Sequence, residues 1–196
     1  MNRLLLVRHG ETEWNAAGRI QGRSDLPLNE TGRWQAERLA PRLKDEKLAA
    51  AVSSDLQRAC QTAQAILAHH PEIDLQTDPR LREMDFGEWD GLTFEQVRER
   101  YPGEARRWLE GWEEFAPPGG ESFSQFVERV AAFYREIKDS ADGTTLITAH
   151  GGSLQVLVCL ALGLGPERYW QFHMQPAALV EVHLHDAGGT LQISSP

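Results

Sequence analysis

Two apolar runs far apart in this chain end alike: residues 4–7 lead into Arg8-His9-Gly10, and residues 145–149 lead into His150-Gly151-Gly152. Four or five residues rich in Leu, Ile, Val and Thr read as a buried strand, and a glycine just beyond lets the chain turn sharply toward a helix. Both histidines are therefore predicted at the carboxyl ends of strands. In an open α/β sheet the ligand crevice lies outside those ends, so the two rings meet at one site if their strands are neighbours.

The segments between them alternate in period. A polar, glycine-bearing loop spans residues 15–31, and Ala36, Leu39, Ala40 and Leu43 then recur at helical spacing, with Pro41 expected to kink or divide the helix. Residues 50–53 read as a short strand. The helix after it takes Ser54 or Asp55 as its cap and Leu56, Cys60, Ala63 and Leu67 as its apolar stripe. Arg58 is expected opposite that stripe in the first turn, where backbone N–H groups favour an anion. Ser122 and Gln125 form a capping box for a helix whose stripe is Phe123, Phe126, Val127, Val130, Tyr134 and Ile137. The helix from Ser153 is apolar all round and predicted buried. Val180, Val182 and Leu184 alternate with Glu181, His183 and His185 in a half-buried strand, which a last strand around residues 190–193 joins across a Gly188-Gly189 turn. Strands separated by helices imply an α/β fold, a three-layer α/β/α sandwich with a mostly parallel central sheet.

At 196 residues the chain reads as one domain over 1–196, long enough to bury its own core. A net charge of −9 argues against a broad nucleic-acid or anionic-membrane surface, since both need a basic face. An anionic ligand must then be held by a local arginine cluster. Cys60 and Cys159 fall at apolar helix positions, as free thiols do in a reducing compartment, and the apolar runs are too short for a leader or a membrane span. A cytoplasmic protein is expected. His183 and His185 resemble a metal pair but lack a third ligand at useful spacing, so no metal and no cofactor are predicted. His69 and His70 read as helix C-terminal residues acting on the dipole, and Trp108 and Trp112, at i and i+4, as packing residues.

The stretch Arg8-His9-Gly10-Glu11-Thr12-Glu13-Trp14-Asn15 resembles the signature of the histidine phosphatase superfamily, the phosphoglycerate-mutase-like enzymes. The resemblance continues in order through Ser53-Ser54-Asp55-Leu56-Gln57-Arg58-Ala59, Leu81-Arg82-Glu83-Met84-Asp85-Phe86-Gly87-Glu88-Trp89-Asp90-Gly91, Pro117-Pro118-Gly119-Gly120-Glu121-Ser122 and Thr148-Ala149-His150-Gly151-Gly152. It implies the same phosphoglycerate-mutase-like sandwich. It also implies a catalytic set in which His9 accepts the phosphoryl group, Arg8 and Arg58 clamp it, His150 stabilises its developing charge and Glu83 donates a proton to the leaving oxygen. Asn15 is a further donor to the phosphoryl oxygens, and Gln21, Gly22 and Gly151 are grouped with it as substrate-binding. His150, if charged, would act most strongly below about pH 7.

Histidine suits the nucleophile because its neutral ring has a free lone pair at neutral pH, and arginine suits the clamp because its planar fork matches phosphate oxygens and keeps its charge. The expected partner is a small-molecule phosphate ester. Its leaving group is expected to meet residues 85–120, a lid or specificity segment, together with Arg19, Gln21 or Gly22. Compactness and the two middle blocks resemble the bacterial phosphatase branch, which includes α-ribazole-phosphate phosphatases and broad-specificity phosphatases. A mutase-type phosphotransferase and a non-catalytic module that binds a phosphorylated ligand are the alternatives. The intact set His9, Arg8, Arg58, Glu83 and His150 argues against the latter. The C-terminal strand offers an edge on which a homodimer could form.

Overall fold

Leu4, Leu5, Leu6 and Val7 are all fully buried, the mark of a strand covered on both faces rather than one facing water. In the computed structural model they lie in β1 (Asn2–Arg8), which pairs in parallel with β4 (Thr144–Ala149) so that Arg8 stands opposite Ala149. β4 pairs in parallel with β2 (Leu48–Ser53), which pairs in parallel with β3 (Leu75–Thr77). On the other side of β1, β5 (Leu179–His185) and β6 (Gly188–Gln192) add antiparallel, giving the order β3-β2-β4-β1-β5-β6. Three of these five pairings are parallel. The structure describes residues 2–111, 115–140, 143–186 and 188–192; Trp112 and Ile193 lie outside them.

The two-residue period of β1 sorts its side chains between two helical layers. A single helical turn, α1 (Glu13–Ala16), follows β1. Leu5 and Val7 pack with Leu39, Ala40 and Leu43 of α2 (Glu30–Leu43) and Ile66 of α3 (Gln57–Leu67). Leu4 and Leu6 pack with Phe126, Val130 and Phe133 of α6 (Phe123–Ser140) and Leu154 and Leu157 of α7 (Gly151–Ala161). Each apolar side chain moved from water into these layers contributes about 1.5–3 kcal/mol before the cost of ordering the chain. The result is the expected α/β/α sandwich. No helix among the described residues is long and apolar enough to cross a membrane.

Several local expectations change. Pro41 does not divide α2, because it sits exposed in the last turn and costs only the hydrogen bond to the Glu37 carbonyl two residues before the helix ends. Neither Ser54 nor Asp55 caps α3. The helix starts at Gln57, whose N–H donates to Asp25 Oδ1 of the first loop at 2.7 Å, a cap borrowed from a distant segment. The buried face of α3 is Arg58, Ala59, Thr62, Ala63 and Ile66, with Cys60 and Leu67 partly exposed. Arg58, expected opposite the apolar stripe, is thus completely buried, because the first loop closes over the flank that would otherwise face water.

Glu181, expected to point outward from β5, is buried with Arg3 Nε and His183 Nε2 on its Oε1. Gly188 and Gly189 belong to β6 rather than to the turn, since His185 pairs with Gly188. The Ser122–Gln125 box forms as read, each backbone N–H donating to the other residue's side chain. His70 is buried and its Nε2 meets the Leu43 carbonyl, at the C-terminus of α2 rather than of its own helix.

Between residues 85 and 111 the chain is more regular than its pattern suggested. α4 (Phe94–Arg100) carries a Thr93–Gln96 capping box, and α5 (Pro102–Gly111) follows it directly. Trp89, Val97, Ala105 and Phe115 form a small core of their own, with Trp108 against Trp89 and Phe115.

Candidate active site

β1 and β4 end side by side, which brings the two histidines together. The His9 and His150 rings lie 5.1 Å apart between centroids at an interplanar angle of 61°, and both side chains are buried. The His9 backbone N–H donates to the Ala149 carbonyl, extending the β1–β4 ladder one residue into the site. Gly10 follows because the chain there runs against the first turn of α2. A Cβ at Gly10 would stand 2.4 Å from the Gly32 carbonyl oxygen, so close approach, and no unusual turn, is what requires glycine.

The two rings are held in different tautomers. His9 Nδ1 lies 2.7 Å from the Gly10 carbonyl oxygen, an acceptor, so Nδ1 carries the proton and Nε2 keeps its lone pair. Burial, then the charges of Arg58 and Arg8, hold the His9 ring well below its ordinary pKa, and the neutral form dominates. At His150 the Arg58 Nε–H donates to Nδ1 at 3.1 Å, which puts the proton on Nε2, where it meets Ser54 Oγ at 2.8 Å. His150 is likewise held well below its ordinary value, by burial and then by Arg58. The condition stated for His150, that it be charged, is therefore not met in the free protein: a second proton on the ring would displace the Arg58 hydrogen bond.

Arg58 is the hub. Its Nη1 donates to the Ser24 carbonyl and its Nη2 to the Gly22 carbonyl, both at 2.7 Å, while Nε holds His150. Burial lowers its pKa to about 10, still far enough above neutrality to keep the charge. Arg8 donates from Nη1 to the Met174 carbonyl at 2.5 Å, and its buried Nε has no protein partner among the described residues. Glu83 acts electrostatically on both arginines, so its carboxyl group faces the same space. Its Oε2 accepts from Gly152 N–H at 2.9 Å and its Oε1 from Met84 N–H at 3.0 Å. A Cβ at Gly152 would fall 2.4 Å from Glu83 Oε1, so a side chain there would push this carboxyl group out of its place.

The remaining predicted residues surround this group in different ways. Gly151 lies at the start of α7, where a Cβ would stand 3.6 Å from the Arg8 guanidinium. Asn15 Oδ1 accepts from the Thr12 backbone N–H at 3.2 Å, and Gln21 Oε1 accepts from the Thr12 hydroxyl at 2.7 Å. Gln21 Nε2 is buried without a partner among the described residues. Neither side chain is hydrogen-bonded to the five charged or imidazole groups. Gly22 has its carbonyl on Arg58 and its N–H on Asp90, so it is committed to holding the loop. Arg19 donates to the Gly91 carbonyl and ties the same loop down. His183 and His185 lie in β5, bonded to Glu181 and Thr190.

Sequence reasoning did not find Ser54 as the acceptor for His150, the Met174 carbonyl as the seat of Arg8, or Asp90 as the anchor of Gly22. Ser54 and Asp90 stand inside the quoted blocks and were open to discovery there. Met174 acts through its backbone and leaves no signal in residue type.

The chain matches the sequence model described as the histidine phosphatase superfamily (branch 1) over residues 4–194. It is 35% identical over 187 residues to phosphoserine phosphatase 1 of Hydrogenobacter thermophilus, covering 95% of this chain and 88% of that one. The solved α-ribazole phosphatase of Shigella flexneri superposes with a TM-score of 0.92 at 29% identity, covering 97% of this chain and 95% of that one. The mycobacterial glucosyl-3-phosphoglycerate phosphatase solved with VO3 gives a TM-score of 0.86 at 32% identity, with 98% of each chain covered.

Proposed function

Since this chain belongs to branch 1 of the histidine phosphatase superfamily, we propose that it hydrolyses phosphate monoesters of small alcohols through a phosphohistidine on His9, without a metal ion. The observation that carries this reading is the fixed tautomer of His9, whose proton on Nδ1 leaves the Nε2 lone pair beside two arginines.

In the first step Nε2 bonds to phosphorus, the ester P–O bond breaks, and Glu83 in its acid form gives its proton to the departing oxygen. Arg8 and Arg58 hold the non-bridging oxygens as charge shifts onto them, an interaction strongest in the transition state. In the second step the Glu83 carboxylate takes a proton from water, the water oxygen bonds to phosphorus, and the P–N bond returns its electron pair to His9. Inorganic phosphate leaves and the enzyme is restored. No step calls for a Lewis acid.

The relatives act on α-ribazole phosphate, phosphoserine and glucosyl-3-phosphoglycerate according to their names, and all three are phosphate esters of small molecules. We take α-ribazole 5′-phosphate as one candidate substrate and read the protein as a cytoplasmic enzyme, as the two free cysteines favour. A panel of these esters with 3-phosphoglycerate and p-nitrophenyl phosphate, run with and without excess EDTA, tests the reading. Release of inorganic phosphate that survives EDTA, with a phosphorylated His9 peptide after acid-free quenching, is the expected result. Loss in EDTA with rescue by Mg²⁺ or Zn²⁺ overturns metal independence. Conversion of 3-phosphoglycerate to its 2-isomer makes the protein a mutase, and binding of vanadate with no turnover of any ester makes it a binding module.

A further inference from the structure

We propose that Asp90 is a positioning residue that sets the phosphate clamp by orienting the loop on which Arg58 rests, an inference that rests on the phosphatase reading. Asp90 Oδ1 accepts from the Gly22 N–H at 2.7 Å and Oδ2 from the Ser24 N–H at 2.8 Å. The same two residues turn their carbonyls to Arg58 Nη2 and Nη1. The carboxylate holds the peptide units before Gly22 and Ser24 and the guanidinium holds the units after them, so the two groups pin alternate peptide units of one short loop. This fixes the direction of the two carbonyls that the arginine meets. The third donor of Arg58, Nε, goes to His150 Nδ1 and selects its tautomer. A connected path therefore runs from Asp90 through two backbone units to the clamp and the second histidine.

Arg58 is also completely buried with no carboxylate among its hydrogen-bond partners in the described residues. Its negative neighbours act at longer range, Glu83 first and Asp90 next. Glu83 gains and loses a proton during turnover, whereas Asp90, and after it Asp25, face Arg58 without a part in proton transfer. Asp90 lies at the base of the 85–120 segment, which is stitched to the first loop by Gly91 N–H on the Ile20 carbonyl and Ile20 N–H on the Leu92 carbonyl. The two segments are therefore one unit where the clamp is seated.

A double-mutant cycle separates positioning from general support. Asp90→Asn keeps the size of the side chain but presents one acceptor oxygen to two N–H donors. One loop N–H then loses its acceptor, and the next peptide unit, whose carbonyl meets Arg58, is freed to turn. Asp90→Asn is expected to lower kcat/KM for p-nitrophenyl phosphate about 10- to 100-fold, mostly in kcat. In an Arg58→Ala background the same change should cost less than about twofold, because the group it acts through is gone. Equal losses in both backgrounds, or wild-type kcat/KM in Asp90→Asn, would overturn the proposal. If Asp90→Asn does not fold, Asp90→Glu keeps the charge and both acceptors at the wrong reach, and the same cycle applies to it. Imidazole ¹⁵N spectra read the Arg58–His150 bond without turnover. A moved His150 Nδ1 signal in the Asp90 variant supports the path, and an unmoved one overturns it. Wild-type inactivity on every ester would count against the phosphatase reading and leave the spectral result standing on its own.

Discussion

At the scale of single residues, the site uses each nitrogen of its charged groups for a separate task. Replacing His9 by Ala removes the one of the two site rings whose Nε2 is left free by its own backbone contact, so activity should vanish while circular dichroism stays native. Arg58→Ala should cost about 3 kcal/mol or more in kcat/KM, on the scale of a lost transition-state donor. Arg58→Lys should not restore it. One ammonium cannot meet the Gly22 carbonyl, the Ser24 carbonyl and His150 Nδ1 from positions set by a planar fork, and steady-state kinetics on several esters would show this. For Glu83→Gln, general acid catalysis sets the expected loss at about 10²–10⁴-fold on alkyl phosphates, with a much smaller loss on p-nitrophenyl phosphate, whose leaving group departs without a proton. Burst-phase rates test this, because the second step would blur the contrast at steady state. Equal losses in the burst would move the acid role to another carboxyl group.

At the scale of elements, the strand ends position the chemistry through close backbone approach. The loop after β1 and the first turn of α2 interlock, since a Cβ at Gly10 would meet the Gly32 carbonyl and one at Gly32 would meet the Glu11 carbonyl at 2.0 Å. Gly10→Ala should therefore destabilise the fold by about 1–3 kcal/mol, as overpacking does, and displace His9 as well. Urea unfolding and turnover should fall together. The two strands that end in histidine, the buried helix α7 and the Ser122–Gln125 box were legible because each is a local pattern repeated in several residues. The pairing of those strands stood only as a condition and is supplied by the structure. The burial of Arg58 and the start of α3 were not. Both depend on the first loop, where Asp25 caps α3 and two carbonyls cover the guanidinium, and such contacts have no period in sequence. Pro41 misled for the opposite reason, because the local rule is sound but the helix ends too soon for it to matter. The same limit applies within the site: His9, Arg8, Glu83 and Gly151 could be named from matched blocks, whereas their tautomers and their seats on carbonyls could not.

At the scale of the whole molecule, burying two neutral histidines makes stability depend on pH in a direction that can be worked out. Both His9 and His150 have pKa values well below the ordinary 6.5 in the folded protein, while the unfolded chain returns each to about that value. Between the folded and unfolded values the unfolded state binds more protons, so acid favours unfolding. The stabilisation is fully present above about pH 6.5 and is lost as the pH falls toward the folded values. Each histidine contributes a slope of up to about 1.4 kcal/mol per pH unit in that window, so the pair should steepen the decline to roughly 2.7 kcal/mol per unit. Asp55 and Glu181, held down mainly by Arg82 and Arg3, contribute in a separate and lower window, below about pH 4, where unfolded carboxylates begin to take up protons. Urea unfolding at intervals from pH 7.5 to pH 5 should therefore show stability falling well before the carboxylates titrate. The slope should shrink by about half in His9→Gln or in His150→Gln, and bound vanadate should oppose the fall by linkage, since it binds only the folded protein. A wild-type stability flat between pH 7 and pH 5.5 would mean that the folded protein admits protons to these rings. The fixed Nδ1–H tautomer of His9 would then not survive as the basis of its nucleophilicity.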